Sequence, residues 1–301
     1  MPVVFGLLNI DDTAQYIKIT RTFQNKDANA LNLLNNPDSI YFDTLNVFML
    51  EKINNQLVKN ISLKKVDGNL EGHKKSTGLF PVSPNYLYKT NEKLNHDAVY
   101  ELNIQNIKNG NSWKAKTGVI DSFTLLYPFP GSTIDFLPNK NISFVVNPAI
   151  NASYYSVGVT IFYTEIKQSG IAILKSLTWG AIKVSQNYQV IGGNYYFTPS
   201  SNNFFEFLHD NIPVDSDVSR GMTSVVVSID GMNEIVYTYL QEQNANSGIT
   251  GLVINPVVSN IENGLGIFST RNSNQYLFHL GTATISAIMT NPLTQNLNFH
   301  F

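Results

Sequence analysis

Residues 153–163, Ser-Tyr-Tyr-Ser-Val-Gly-Val-Thr-Ile-Phe-Tyr, alternate so regularly that Tyr155, Val157, Val159, Ile161 and Tyr163 fall on one face of an extended chain. Side chains of a strand repeat every second residue, so this run predicts a strand with one buried face. Its backbone donors and acceptors need partners, and a two-stranded ribbon is barely stable, so the chain around it has to form a sheet.

Shorter runs repeat the theme. Val3–Leu8 is apolar, Asn9–Thr13 is a polar turn, and Gln15–Phe23 sets Ile17, Ile19 and Phe23 opposite Lys18 and Thr20. Strand-like segments follow at Asn46–Ile53 and Gln56–Lys65, before a polar, Gly-containing loop over Val66–Gly78. Ala98–Ile104 alternates Tyr100, Leu102 and Ile104 against Glu101 and Asn103, and Ser112–Thr117 alternates Trp113 and Ala115 against Lys114 and Lys116. Their connector carries Asn109-Gly110, a dipeptide that accepts the left-handed conformations of a tight hairpin. Further along, Ile171–Val184 and Gln189–Thr198 also read as strands.

Helical spacing appears in four places. Asp27 caps an expected short helix with Ala30, Leu31 and Leu34 that stops before Pro37. Asn203 and Glu206 form a capping-box variant ahead of Phe204, Phe207, Leu208 and Ile212. Asp230 is the expected cap for Met232, Ile235, Val236, Tyr239 and Leu240, and Thr282–Thr290 closes at Asn291-Pro292. The expected fold is therefore mainly β: an N-terminal immunoglobulin-like β-sandwich over residues 1–120, packed on a larger β-rich domain with short helices over 121–301.

Composition agrees with that class. Charged residues make up 14% of the chain, against the usual quarter, and polarity comes from Asn, Ser and Thr beside 15 Tyr and 18 Phe. Such residues suit pleated surfaces and turns, and they are common in exported β proteins. The formal charge is -2, and Lys64-Lys65 and Lys74-Lys75 are too short to track phosphates, which argues against nucleic acid. Both pairs read as solvated loop or edge-strand residues, which discourage edge-to-edge pairing. Cysteine is absent, which removes disulfides, thiolate metal sites and a thiol nucleophile. No apolar run approaches the roughly 20 residues of a membrane helix. The sequence opens on a strand-like run without a basic or apolar leader; if the chain is exported, its signal is expected to have been removed.

His73, His96, His209, His279 and His300 are scattered, so no two imidazoles sit one helical turn apart as a zinc-binding helix requires. Ser169-Gly170 and Ser247-Gly248 lack the flanks of a nucleophile elbow. Gly192-Gly193 and Gly264-Leu265-Gly266 lack the spacing of a phosphate-cradling loop and read as turn or bulge glycines. Glu165 with Asp121 or Asp135 is the best carboxylate pair for glycoside hydrolysis, although strand-end acids are common. Asp11 and Asp12 would serve a loose calcium loop but fit a plain turn better. The expectation is a non-enzymatic chain with no cofactor and no metal.

Two features point outward. Tyr195, Tyr196 and Phe197, beside a polar loop, are the candidate partner or glycan contact, because aromatic rings stack on sugars and anchor interfaces. The competing reading makes one or two of them core residues of a strand. Leu297, Phe299 and Phe301 resemble the closing strand of an outer-membrane β-barrel, but the helical segments favour a final strand within a sheet of the body.

Val3–Leu8 with Asp12-Thr13 and Tyr16–Ile19, then Leu94–Ile104, Tyr154–Glu165 and above all Asn260–Ser269 (NIENGLGIFS), resemble the surface-exposed outer-membrane lipoproteins of Bacteroidota. The resemblance spans most of the chain as patterns rather than as catalytic motifs. It implies a signal peptide and a lipidated Cys, neither present in this sequence, and a body displayed on the extracellular face of the outer membrane. It also implies an accessory role beside TonB-dependent transporters, β-barrel assembly machines or other surface lipoproteins; the alternative, a glycan-binding or adhesive module, rests on the Tyr195–Asn203 segment. Asp12-Thr13-Ala14, Asp38-Ser39-Ile40 and Asp43-Thr44-Leu45 look like the O-glycosylation acceptors of that phylum.

Overall fold

A computed structural model describes residues 1–22, 36–78, 81–185, 188–246 and 258–300. The expected helix capped by Asp27 lies outside the described residues, as do Phe23 and Phe301. The chain is mainly β with four α-helices among the described residues. The first strands are β1 (Pro2–Leu8), β2 (Gln15–Arg21), β3 (Leu45–Ile53), β4 (Gln56–Ser62), β5 (Lys64–Asp67), β6 (Tyr86–Thr90), β7 (Val99–Asn106) and β8 (Ser112–Gly118). They are followed by β9 (Thr124–Tyr127), β10 (Thr133–Ile134), β11 (Phe144–Asn147), β12 (Tyr154–Lys167), β13 (Ala172–Ser185), β14 (Gln189–Ile191), β15 (Asn194–Phe197), β16 (Val218–Met232), β17 (Leu265–Leu280) and β18 (Phe299–His300). The helices are α1 (Pro37–Ile40), α2 (Asn202–Asn211), α3 (Glu234–Asn246) and α4 (Thr282–Thr290).

Contacts divide the chain into two discontinuous units: Met1–Asp121 with Met232–Asn272, and Ser122–Gly231 with Ser273–Phe301. A division at residue 120 alone leaves out the return of residues 232–272 to the first unit.

The first unit is a β-sandwich. One sheet has the order β17-β1-β2-β6-β5, the other β4-β3-β7-β8. Alternation turns Val4, Leu8, Ile17 and Ile19 of the first sheet toward Val47, Met49, Tyr100, Leu102, Ile104 and Trp113 of the second, and all are buried in one cluster. Burying ten such side chains, each worth about 1.5–3 kcal/mol, is what holds the layers together. The Ala98–Thr117 hairpin forms as β7 and β8, paired antiparallel from Val99↔Gly118 to Gln105↔Ser112. Lys64-Lys65 open the edge strand β5.

Asparagine supplies the tight corners. Every non-glycine residue with positive φ among the described residues is Asn, including the two-residue turn Asn54-Asn55 that joins β3 to β4. Asn tolerates this conformation better than other side chains. Amides also stand in for backbone. Gln15, buried at the start of β2, accepts from Asn9 N at 3.0 Å and donates to Asn9 O at 2.8 Å. Asn260 does the same for Phe268, at 2.9 and 2.7 Å. Part of the uncharged polar composition thus serves to satisfy main-chain groups.

One buried polar link tests the sandwich interior. Tyr100 Oη donates to Glu51 Oε2 at 3.0 Å and accepts from Asn95 N at 2.8 Å. Tyr100→Phe is expected to lower stability by about 1–3 kcal/mol, because it strands a buried carboxylate oxygen and an amide. Urea unfolding with an unchanged slope would establish this; a loss below 0.5 kcal/mol would mean water reaches the site.

The second unit is built on the long hairpin of β12 and β13, with β12 between β13 and β16. Tyr155, Val157, Val159, Ile161 and Tyr163 are all buried on one face, as their alternation predicts. Helix α2 packs Phe204 between Phe136 (rings stacked at 4.3 Å) and Trp179 of β13 (5.6 Å). Its N-cap is Ser201 rather than Asn203, and no side chain caps it. The expected cap Asp230 also proves to lie inside a strand: β16 runs on to Met232, and Asn233 Oδ1 receives Val236 N at the start of α3. Asp230 instead accepts from Ser156 Oγ and Ser273 Oγ. The last strand shortens to Phe299–His300, parallel to β16, and Leu297 belongs to a preceding 3-10 turn.

Candidate functional site

Four short strands of the second unit, in the order β14-β15-β11-β9, distribute aromatic side chains over two faces. On the inner face Phe197 pairs with Phe144, and Tyr195 with Val146, which itself pairs with Leu125. Phe144, Val146, Phe197 and Leu125 are fully buried. On the outer face one cross-strand row runs Gln189–Tyr196–Val145–Tyr127. The register of β9 on β11 shifts at Val145/Val146, which leaves Leu126 as the exposed extra residue of a bulge.

The three aromatic residues expected to act together are therefore separated. Phe197 is core. Tyr195 stacks on Tyr188 at 4.0 Å and 16° and meets Tyr155 edge-on at 5.6 Å. Tyr188 Oη donates to Ser153 O, and burial followed by its contact with the Tyr195 hydroxyl pushes its phenol well above the ordinary value. Tyr196 alone faces outward, half-buried, in the row with Tyr127. Tyr127 is 50% exposed and meets Phe129, 69% exposed, edge-on at 6.2 Å. Ile191, exposed at the edge strand, lies on the same face through its pairing with Asn194. The outer face thus presents Tyr196, Tyr127, Phe129, Leu126 and Ile191, of which only Tyr196 was singled out by sequence.

The candidate acids meet other partners. Glu165, at the end of β12, is buried against cations: its Oε1 lies 2.8 Å from Arg220 Nη2 and its Oε2 2.5 Å from Lys175 Nζ. Burial pushes its carboxyl up, but the hydrogen bonds from Lys175 and Arg220 outweigh that and hold it below the ordinary value. Asp135 accepts from Thr284 N and Oγ1, which secures the first turn of α4. Asp121 lies 3.9 Å from His96 Nδ1. Asp11 receives Asn272 Nδ2, and Asp12 receives Asn9 Nδ2, within a hydrogen-bonded turn. His73 packs its ring on Tyr16, and His209 bonds Asp210. Among the described residues no three His, Cys, Asp or Glu side chains gather as a metal ion would need.

Sequence reasoning missed two groups of cations. Arg220 gives no pattern signal, since a single Arg in Val218–Met232 looks like an exposed position. Lys75, read as a solvated residue, and Lys18, placed opposite the core face of its strand, line a cavity together with Arg21. No protein-family model matches the chain, and no curated protein matches it significantly.

Proposed function

We propose that this chain is a non-enzymatic binding protein of the bacterial cell surface, an accessory lipoprotein of an outer-membrane protein assembly such as a TonB-dependent transporter or β-barrel assembly machine. Its contact surface is the outer face of the β14-β15-β11-β9 sheet. The observation that carries the reading is the row Tyr196–Val145–Tyr127 with Phe129, Leu126 and Ile191 exposed around it. Aromatic rings on a short-stranded, rigid sheet lose little freedom when covered, and such anchors dominate the energetics of protein interfaces. The surface location is supported by the resemblance to Bacteroidota lipoproteins and by the weakly charged, Asn-rich β build. The proposed contact residues lie on a sheet face, which suits binding without chemistry.

The test is affinity capture of the tagged, membrane-anchored chain from native membranes, beside a Tyr127→Ser/Tyr196→Ser double variant. A barrel protein should be recovered with the unaltered chain and reduced about tenfold with the variant, the effect of losing about 1.4 kcal/mol. Recovery of the chain alone would defeat the proposal. The exposed Tyr127 and Phe129 rings also suit stacking on sugars, so glycan binding is the second reading. It predicts a saturable glycan-array signal that the same double variant abolishes.

A further inference from the structure

The outer face of the first unit's β17-β1-β2 sheet holds a cavity of about 660 Å³. Its floor is a cross-strand row, Leu265–Val3–Thr20, set by the parallel pairing of β1 with β17 and the antiparallel pairing of β1 with β2. Ile40 and Tyr41, which close α1, supply an apolar wall. Tyr41 is held there by its hydroxyl, which donates to Pro84 O at 3.0 Å. The volume falls in the range of small-molecule sites, roughly 300–1,000 Å³.

The polar part of the lining is cationic. Lys18 projects from β2 on the face opposite Ile17 and Ile19, two residue pairs along from the floor row. Arg21 donates Nε to Ser39 O at 3.0 Å and a second guanidinium nitrogen to Asp38 O, both neutral carbonyls. Lys75 donates Nζ to Pro81 O at 2.8 Å. The described residues of the lining include no carboxylate, and no described acceptor reaches Lys18 Nζ. Burial lowers the affinity of the Lys18 amine for its proton. Lys75 is lowered in the same direction, first by burial and then by the Lys18 charge. A half-buried amine beside a like charge is a cost to folding unless an anion offsets it.

We infer that this cavity binds a small organic anion with an apolar body, its acid group at Lys18 and its chain or ring over Val3, Leu265 and Ile40. A bare inorganic anion would satisfy the cations and leave the apolar wall wet, whereas a neutral apolar molecule would leave Lys18 without a partner. Only an amphipathic acid uses both. The inference does not depend on the partner surface proposed above, which lies in the other unit.

The test is titration calorimetry on the full chain with three probes: decanoate below its micelle concentration, decanol, and inorganic phosphate. Decanoate should bind saturably, with decanol and phosphate each at least tenfold weaker. A charge-assisted hydrogen bond supports about a 10- to 100-fold effect. Lys18→Met should weaken decanoate at least tenfold and leave decanol unchanged. Lys18→Met should also melt at the same or a higher temperature than the unaltered chain without ligand, because it removes an uncompensated charge. Equal binding of decanoate and decanol, phosphate binding as tight as decanoate, an unaffected Lys18→Met variant, or no binding at all would each overturn the inference.

Discussion

Replacing Arg220 by alanine is expected to cost about 3–5 kcal/mol of unfolding free energy at neutral pH. Arg220 is 1% exposed and uses its whole guanidinium. Nε donates to Glu165 Oε1 at 2.9 Å, Nη1 to Leu297 O at 2.7 Å, and Nη2 to Pro213 O at 3.0 Å. One side chain of β16 therefore ties β12, the 3-10 turn before β18 and the loop after α2. Its removal leaves a buried carboxylate with Lys175 alone and two carbonyls without donors. The pair need not be net stabilising, since desolvating two charges is expensive. The double variant Arg220→Met/Glu165→Leu should accordingly recover most of the loss. Urea unfolding of the three proteins measures both effects, and a single variant within 1 kcal/mol of the parent would show that water already solvates the pair.

The pH dependence carries a definite sign. The folded-state value of Glu165 lies below its ordinary 4.5, so the folded protein binds fewer protons than the unfolded chain between the two values. The stabilisation is complete above 4.5 and disappears as pH falls through the folded-state value. The gap between parent and Arg220→Ala should be widest near neutrality and narrow in acid.

Gly266→Ala is expected to be the most damaging single-methyl change in the first unit. Gly266 pairs with Val4 in the parallel ladder of β1 and β17 at φ +93, and an added Cβ would sit 2.0 Å from the Val4 carbonyl oxygen. That oxygen is backbone within a six-pair register, so it cannot swing aside as a flexible side chain would. The left-handed conformation alone costs about 1–3 kcal/mol for a non-glycine residue. Displacing the strand adds to this, for a total on the order of 3 kcal/mol or more. Gly72→Ala is the control: φ is +88 but nothing lies within 4 Å, so only the conformational part, about 1 kcal/mol, should appear. Equal losses at the two sites would disprove the steric account.

Gly266 also illustrates what the sequence makes readable. Strands with one wet face, such as β2 and β12, announce themselves because Ile17 and Ile19, or Tyr155 through Tyr163, alternate with polar residues. Strand β17 does not. Residues 266–270 are buried on both faces, yet the strand runs on as Ser269-Thr270-Arg271-Asn272-Ser273-Asn274, the composition of a loop. Ser269, Thr270 and Asn272 are buried, and each makes a distant hydrogen bond: Thr270 Oγ1 donates to Gly118 O, Ser269 bonds Asn233, and Asn272 Nδ2 donates to Asp11. All three partners are distant in sequence, so no local pattern carries the signal. The displaced helix cap has a similar origin, since Asp230 satisfies two serines and so holds β16 extended two residues further.

The sites divide the same way. Tyr196 is conspicuous in the sequence, but Tyr127 and Phe129 join it only through the register of three strands. Neighbours Tyr195 and Phe197 are carried off by the two-residue period itself. Lys18 stands between two core isoleucines, and nothing local distinguishes a cation facing a cavity from one facing water.

The path of the chain between the two units has a practical outcome. The polypeptide leaves the first unit after Asp121, comes back at Met232 and leaves again after Asn272. Shortening the gene from either end can therefore never yield one intact half: a product stopping at residue 121 retains β1 but has lost the strand that pairs with it in parallel. An isolated first half would have to be made by excising residues 122–231, bridging the cut with an engineered loop, and ending the chain after Asn272. Ribosomal synthesis faces the same ordering, since β1 emerges first and waits for more than 260 residues before its parallel partner β17 exists.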